Sequence, residues 1–150
     1  MKKILAVFVV LIMLCSCAKA EIEEPENYLP ENTENDSWGV TLSLRNITES
    51  GATVVFTQSG GNPTGELMTG SYYRLEYANE DLAFVIDDEI AWTAEAYMIP
   101  MGGELEMEVK WEWLYGKLPA GTYKIYKSVM DFRGPGDYDN KEYYAEFTVE

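Results

Sequence analysis

Three groups of residues in this sequence have types and spacings that could do chemistry. The first is the run Asp131-Phe132-Arg133-Gly134-Pro135-Gly136-Asp137-Tyr138-Asp139-Asn140. Its carboxylates suit calcium, a hard cation that takes about six to eight oxygens from a flexible loop. The spacing is not that of an EF-hand, because no glutamate stands at the twelfth position and the glycines fall differently. The reading preferred to a metal is a clamp in which the Arg133 guanidinium grips Asp137 or Asp139 and fixes the loop's shape. Asp131, Arg133, Asp137 and Asp139 then form the candidate contact surface of that loop. The second group is the acidic pairs Glu80-Asp81 and Asp87-Asp88-Glu89. Glycoside hydrolysis needs two carboxylates about 5 to 9.5 Å apart across a groove, one with a raised pKa, whereas adjacent acids at strand ends read as solvated turns. The third is the Cys17 thiol, directly behind a short apolar run.

What is missing narrows the chemistry further. The chain has no histidine, so the commonest general base at neutral pH and the commonest transition-metal ligand are both absent. A histidine-free hydrolase is therefore the least favoured reading, and the expectation is a protein that is not an enzyme and carries no cofactor. A formal charge of −15 repels phosphate backbones, which argues against nucleic acid as a partner.

The amino terminus reads as an address. Lys2 and Lys3 precede an uncharged apolar stretch over 4–14, then Cys15, Ser16 and Cys17, which is the layout of an export signal. The stretch is too short to span a bilayer, which takes about 20 apolar residues. The run Leu14-Cys15-Ser16-Cys17 resembles the bacterial lipoprotein signal, with a leucine at minus three and a small residue at minus one. That resemblance implies a signal peptide over 1–16, lipid attachment at Cys17 and an extracytoplasmic chain tethered to the cell membrane. Acyl chains are then the membrane contact, since stable anchoring takes two or more of them. Cleavage there removes both lysines, takes the charge to −17, and leaves no cysteine for a disulfide. Stability has to come from a core alone.

These groups must be positioned by the elements that follow. Over 17–37 the chain is rich in Glu and Pro with few apolar side chains, which reads as an acidic disordered stalk, about 25 Å end to end before charge repulsion lengthens it. From Trp38 onward apolar residues recur at every second position, the period of half-buried strands, with no sustained helical stripe. Trp38, Val40, Leu42 and Leu44 line one face of a first strand; Val54 and Phe56 line a second. Further strands are expected near 71–77, 82–86, 91–99, 121–132 and 141–149. Leu105, Met107, Val109, Trp111 and Trp113 give the longest strict alternation, with both tryptophans on its inward face. The expectation is an all-β antiparallel sandwich of seven to eight strands over 38–150. Flat aromatic platforms among Trp92, Trp111, Trp113, Tyr72, Tyr73, Tyr77, Tyr97, Tyr115, Tyr143 and Tyr144 offer an alternative sugar-binding role, for which Trp92 and Tyr97 are the residues to test.

One corner narrows the fold. Leu118-Pro119-Ala120-Gly121-Thr122-Tyr123 turns into the penultimate strand, and Ile125 follows two residues later. With Tyr73-Arg74-Leu75-Glu76, Trp111-Glu112-Trp113, Phe132-Arg133-Gly134 and Ala145-Glu146-Phe147 in the same order, 72–150 resembles the bacterial immunoglobulin-like domains attached to Gram-positive lipoproteins and sensor peptidases. The resemblance implies a sandwich in which Tyr123 forms the tyrosine corner, with Ile125 where antibody domains carry a disulfide cysteine. It implies no activity. Together these observations lead to the expectation of a membrane-anchored binding or accessory module with an envelope protein as partner, a glycan-binding or adhesion module being the alternative.

Overall fold

A computed structural model describes residues 36–78 and 90–150. Cys17, the 1–16 signal, the stalk over 17–35, the strand expected over 82–86 and the acidic pairs at 80–81 and 87–89 lie outside the described residues.

Two antiparallel sheets face one another. The first holds three strands in the order β1 (Val40–Arg45), β2 (Ala52–Gln58) and β6 (Glu104–Val109). The second is built on a long hairpin of β7 (Gly121–Gly134) and β8 (Asp137–Val149). On its other side β7 receives β4 (Arg74–Tyr77) along its first half and β3 (Glu66–Thr69) along its second, and the two-residue β5 (Tyr97–Met98) pairs with β3. Side chains alternate across each strand, which puts Val40, Leu42, Val54 and Phe56 of one sheet against Ile125, Val129, Tyr143, Ala145 and Phe147 of the other. The sandwich is closed by this core, with no disulfide among the described residues.

The strands differ from the sequence expectation in several places. The alternation through Leu105, Met107 and Val109 stops at Val109, and Glu112–Tyr115 form one helical turn, α1. Residues two apart lie on one face of a strand but about 200° apart around a helix. Trp111 is therefore fully buried while Trp113 is 59 % exposed, and Trp113 is not the core residue the alternation suggests. Leu105 and Met107 are only half-buried. The strand expected over 91–99 shrinks to Tyr97–Met98, that over 71–77 starts at Arg74, and β3 arises where none is expected. Val55, on the outward parity of β2, is buried as well: Arg45 on β1 reaches across that face to Glu104 and Glu106 on β6, over the Ser43–Val55–Glu106 row.

Polar side chains tie the ends. Gln58, buried on β2, donates to the carbonyls of Trp38 and Gly60 at 3.1 and 2.7 Å and accepts from the Gly102 N–H at 2.6 Å. Gly39, at φ +67°, lies so close to the Ser59 carbonyl that a Cβ would stand 2.4 Å from it, so only glycine fits. Asp36 is buried and accepts bonds from the Trp38 and Val40 N–H groups, Lys141 Nζ (2.8 Å) and Tyr143 Oη (2.7 Å). Burial alone would raise its pKa, but the Lys141 and Tyr143 bonds outweigh that and hold the carboxyl below its usual range. The fold thus takes in Asp36 and Ser37, which composition alone assigns to the stalk.

Candidate functional site

The richest polar segment of the sequence forms a hairpin tip rather than a loop. Strands β7 and β8 run on to a tight turn at Pro135-Gly136, where Gly136 takes φ +77°, with an irregularity in register between Phe132 and Gly134. Arg133 Nε donates to Asp137 Oδ1 at 2.8 Å, its Nη2 lies 3.0 Å from Asp139 Oδ2, and its Nη1 donates to Thr64 Oγ1 at 2.8 Å. The bond to Asp137, with Asp139 beside it, raises the guanidinium's pKa further. Both carboxylates are turned onto the arginine, and no set of three acidic side chains converges to hold a metal among the described residues.

Asp131 departs from its expected place on the contact surface. It is 1 % exposed, because it lies on the inward parity of β7. There it accepts bonds from the Thr64 N–H and hydroxyl and from the Gly65 N–H. Burial pushes its pKa up, yet these donors and Arg133 lower it more. A depressed carboxylate pKa contributes stability that is present above the unfolded value near 4 and is lost as pH falls through the folded one. Asp131→Ala should cost about 2 kcal/mol in urea unfolding at pH 7, and the difference from the parent chain should shrink below pH 4. An equal difference at pH 3 and pH 7 would refute this.

The outer face of the larger sheet divides into two halves. In one, Arg74 stacks at 3.6 Å over the Tyr126 ring and forks onto Glu142 through bonds of 3.2 and 2.7 Å, with Glu76 on its other side. Burial works against its charge, but Glu142 and Glu76 hold the guanidinium above its usual range. Lys124 lies beside the Tyr144 ring. The other half is richer in apolar side chains: cross-strand pairing lines up Met98, Met68 and Met130 in one row, which ends at Asn140, and Phe132 with Tyr138 in the next, which begins at Glu66. Met98 and Tyr138 are each 47 % exposed. Sequence reasoning passes over this patch, although Met130 and Phe132 stand on the outward parity of β7.

A buried cation lies between β3 and β4. Their pairings with β7 differ by two residues in register, so the chain over 70–73 bulges away from β7. Lys127, 1 % exposed on the inward parity, fills that bulge and donates to the carbonyls of Gly70 (2.6 Å) and Tyr72 (3.1 Å). Among the described residues no carboxylate pairs with it, and burial pushes its pKa down to about 8. A lysine on the same parity as Tyr123, Ile125 and Val129 is the sequence signal that could have found it.

The tyrosine corner and the aromatic residues complete the picture. Tyr123 folds back and donates to the Pro119 carbonyl at 2.7 Å, with Gly121 leaving room for its ring. Trp92 and Tyr97, singled out in the sequence, come together with Tyr73 and Trp113 in one groove of about 420 Å³ between the sheets. Trp92 packs edge-on against Tyr72, Tyr73 and Trp113 at ring distances of 5.2, 5.3 and 5.7 Å. A larger depression of about 560 Å³ at the foot of the smaller sheet is lined by short side chains such as Thr48, Ser50 and Thr53, with no aromatic wall.

With this geometry in place, comparison adds one finding. Residues 36–148 match the family model of a bacterial Ig-like domain. No curated protein and no solved structure matches the chain.

Proposed function

Because the chain belongs to the bacterial Ig-like domain family, we propose that it is a lipid-anchored, extracytoplasmic accessory module that docks a protein partner in the cell envelope. Fold alone does not fix this role. The observation that carries it is the half of the outer sheet face richer in apolar side chains. On a chain with a formal charge of −15, the adjacent rows of Met98, Met68 and Met130 and of Phe132 and Tyr138, flanked by Asn140 and Glu66, gather the residue types enriched at interface centres, Met, Phe and Tyr. The rigid Arg133-clamped hairpin holds Phe132 and Tyr138 at one edge. In this reading Cys17 carries the acyl chains and 17–35 sets the distance from the membrane.

Photo-crosslinking in cells tests the docking. A benzoylphenylalanine placed at position 98 or 138 should give one discrete adduct, and the same group at Thr41, on the other sheet, should not. Tyr138→Glu should abolish the adduct from position 98 and Met98→Glu the adduct from position 138, each changing stability by no more than about 0.5 kcal/mol, as exposed substitutions do. Adducts of equal yield from positions 41, 98 and 138, or none from any, would overturn the proposal. Metabolic labelling with an alkyne fatty acid tests the anchor: label should be lost in Cys17→Ser, and label retained by that variant would refute attachment at this residue.

A further inference from the structure

From the groove between Trp92 and Trp113 we infer that the domain also binds neutral oligosaccharides, at a site on a different face from the protein-docking patch. At about 420 Å³ the groove has the size of a small-ligand site, and it pairs an aromatic wall with a few convergent polar groups. The aromatic wall is Tyr73, Trp92 and Trp113. Trp113 meets Trp92 edge-to-face at 63° and is 59 % exposed, which leaves a broad indole face open beside the cavity. The negative face of an indole attracts the polarised C–H bonds on the flat side of a pyranose ring.

The groove is also lined by the hydroxyl-bearing residues Ser71, Thr93 and Tyr97. Ser71 Oγ donates to the Thr93 carbonyl at 2.9 Å, Thr93 Oγ1 donates to Ser71 Oγ at 3.1 Å, and Tyr97 Oη donates to Glu95. These bonds fix the positions of the groups while leaving lone pairs on Ser71 Oγ and Thr93 Oγ1 for sugar hydroxyls. At the mouth, Glu108 and Lys110 lie 4.0 Å apart with side chains 81 % and 77 % exposed. These two charges offset each other, and the chain as a whole is strongly acidic, with a formal charge of −15. That acidity repels polyanionic glycans and favours uncharged ones. The helical turn makes the groove possible, since on a continued strand Trp113 would have pointed into the core.

Tryptophan fluorescence titration of the full chain tests the inference, with maltohexaose, cellohexaose and chitohexaose as neutral probes and hexagalacturonate as the acidic one. At least one neutral probe should shift the emission saturably, and hexagalacturonate should not. Trp113→Ala should weaken that binding at least tenfold, Trp113→Phe should retain most of it, and Met98→Ser, on the far face, should leave it unchanged. A cooperative thermal transition shows that the variants fold, and Trp92 still reports when Trp113 is replaced. No response to any neutral probe, tighter binding of hexagalacturonate, or full affinity in Trp113→Ala would overturn the inference. Each of these outcomes leaves the crosslinking result at positions 98 and 138 untouched.

Discussion

Trp111→Ala should destabilise the protein by about 3 to 5 kcal/mol, the range for truncating a fully buried aromatic side chain. The indole lies stacked on the Phe147 ring at 5.1 Å and 26°, and its Nε1 donates to the Glu49 carbonyl at 2.8 Å. Removing it opens a cavity at the point where the chain passes from the small sheet to the large one. The Glu49 carbonyl keeps the Leu118 N–H, so most of the loss comes from packing. Trp113→Ala, two residues on, should cost about 1 kcal/mol or less, because that ring is mostly in solvent and loses only its edge contact with Trp92. Urea unfolding of both variants measures the contrast. A loss under about 1 kcal/mol for Trp111→Ala would mean the core does not close around this ring.

Stability should rise by about 2 kcal/mol between pH 7 and pH 10 through Lys127 alone. Burial pushes its pKa down to about 8 from the ordinary 10.5. The folded state therefore holds the proton less tightly than the unfolded chain. Below pH 8 both states are protonated and the full cost of burying the ammonium applies, about 3 kcal/mol by linkage. Between 8 and 10.5 the unfolded chain binds more protons, so stability climbs with pH; above 10.5 both states are neutral and the cost is gone. The neutral amine still has hydrogens to donate to the Gly70 and Tyr72 carbonyls, so deprotonation leaves the bulge satisfied. Buried tyrosines act in the opposite sense: burial raises the pKa of Tyr73 and Tyr126, so stability falls again once unfolded tyrosine ionises near pH 10. The rise is read from urea midpoints at constant ionic strength between pH 7 and pH 9.5. Lys127→Met should flatten it, whatever its offset at pH 7. A slope unchanged in Lys127→Met would show that the lysine is not its source.

Much of the sandwich is legible in the sequence because one interaction dominates it. Where a strand has one wet and one dry face, alternation is a direct record of burial, and Val40, Leu42, Val54, Phe56, Ile125, Ala145 and Phe147 all lie where it places them. The tyrosine at the Gly121-Thr122-Tyr123 corner is equally legible, since its role depends on local spacing. Alternation misleads where the backbone stops being extended, as at Trp113, and it is silent for elements as short as β3 and β5, whose four and two residues carry too few positions to show a period. The hairpin was misread for a related reason: Asp131 looks like one more loop acid until the length of β7 is known, and its parity on that strand is what buries it.

The amino-acid order, then, determined the acidic surface, the absence of histidine chemistry, the alternating faces and the residues that would close a core without a disulfide, because each depends on residue type or on neighbours a few positions apart. Tertiary structure alone decided which side chains from distant segments meet. Arg133 with Thr64, Lys127 in the bulge at 70–73, the Met98–Met68–Met130 row, and Trp92 beside Trp113 in one groove all depend on strand register and on a single helical turn. The hydrophobic pattern says which face of a strand turns inward and a hairpin turn fixes the register of its own two strands, but which strands from distant segments become neighbours is settled only when the whole sandwich packs.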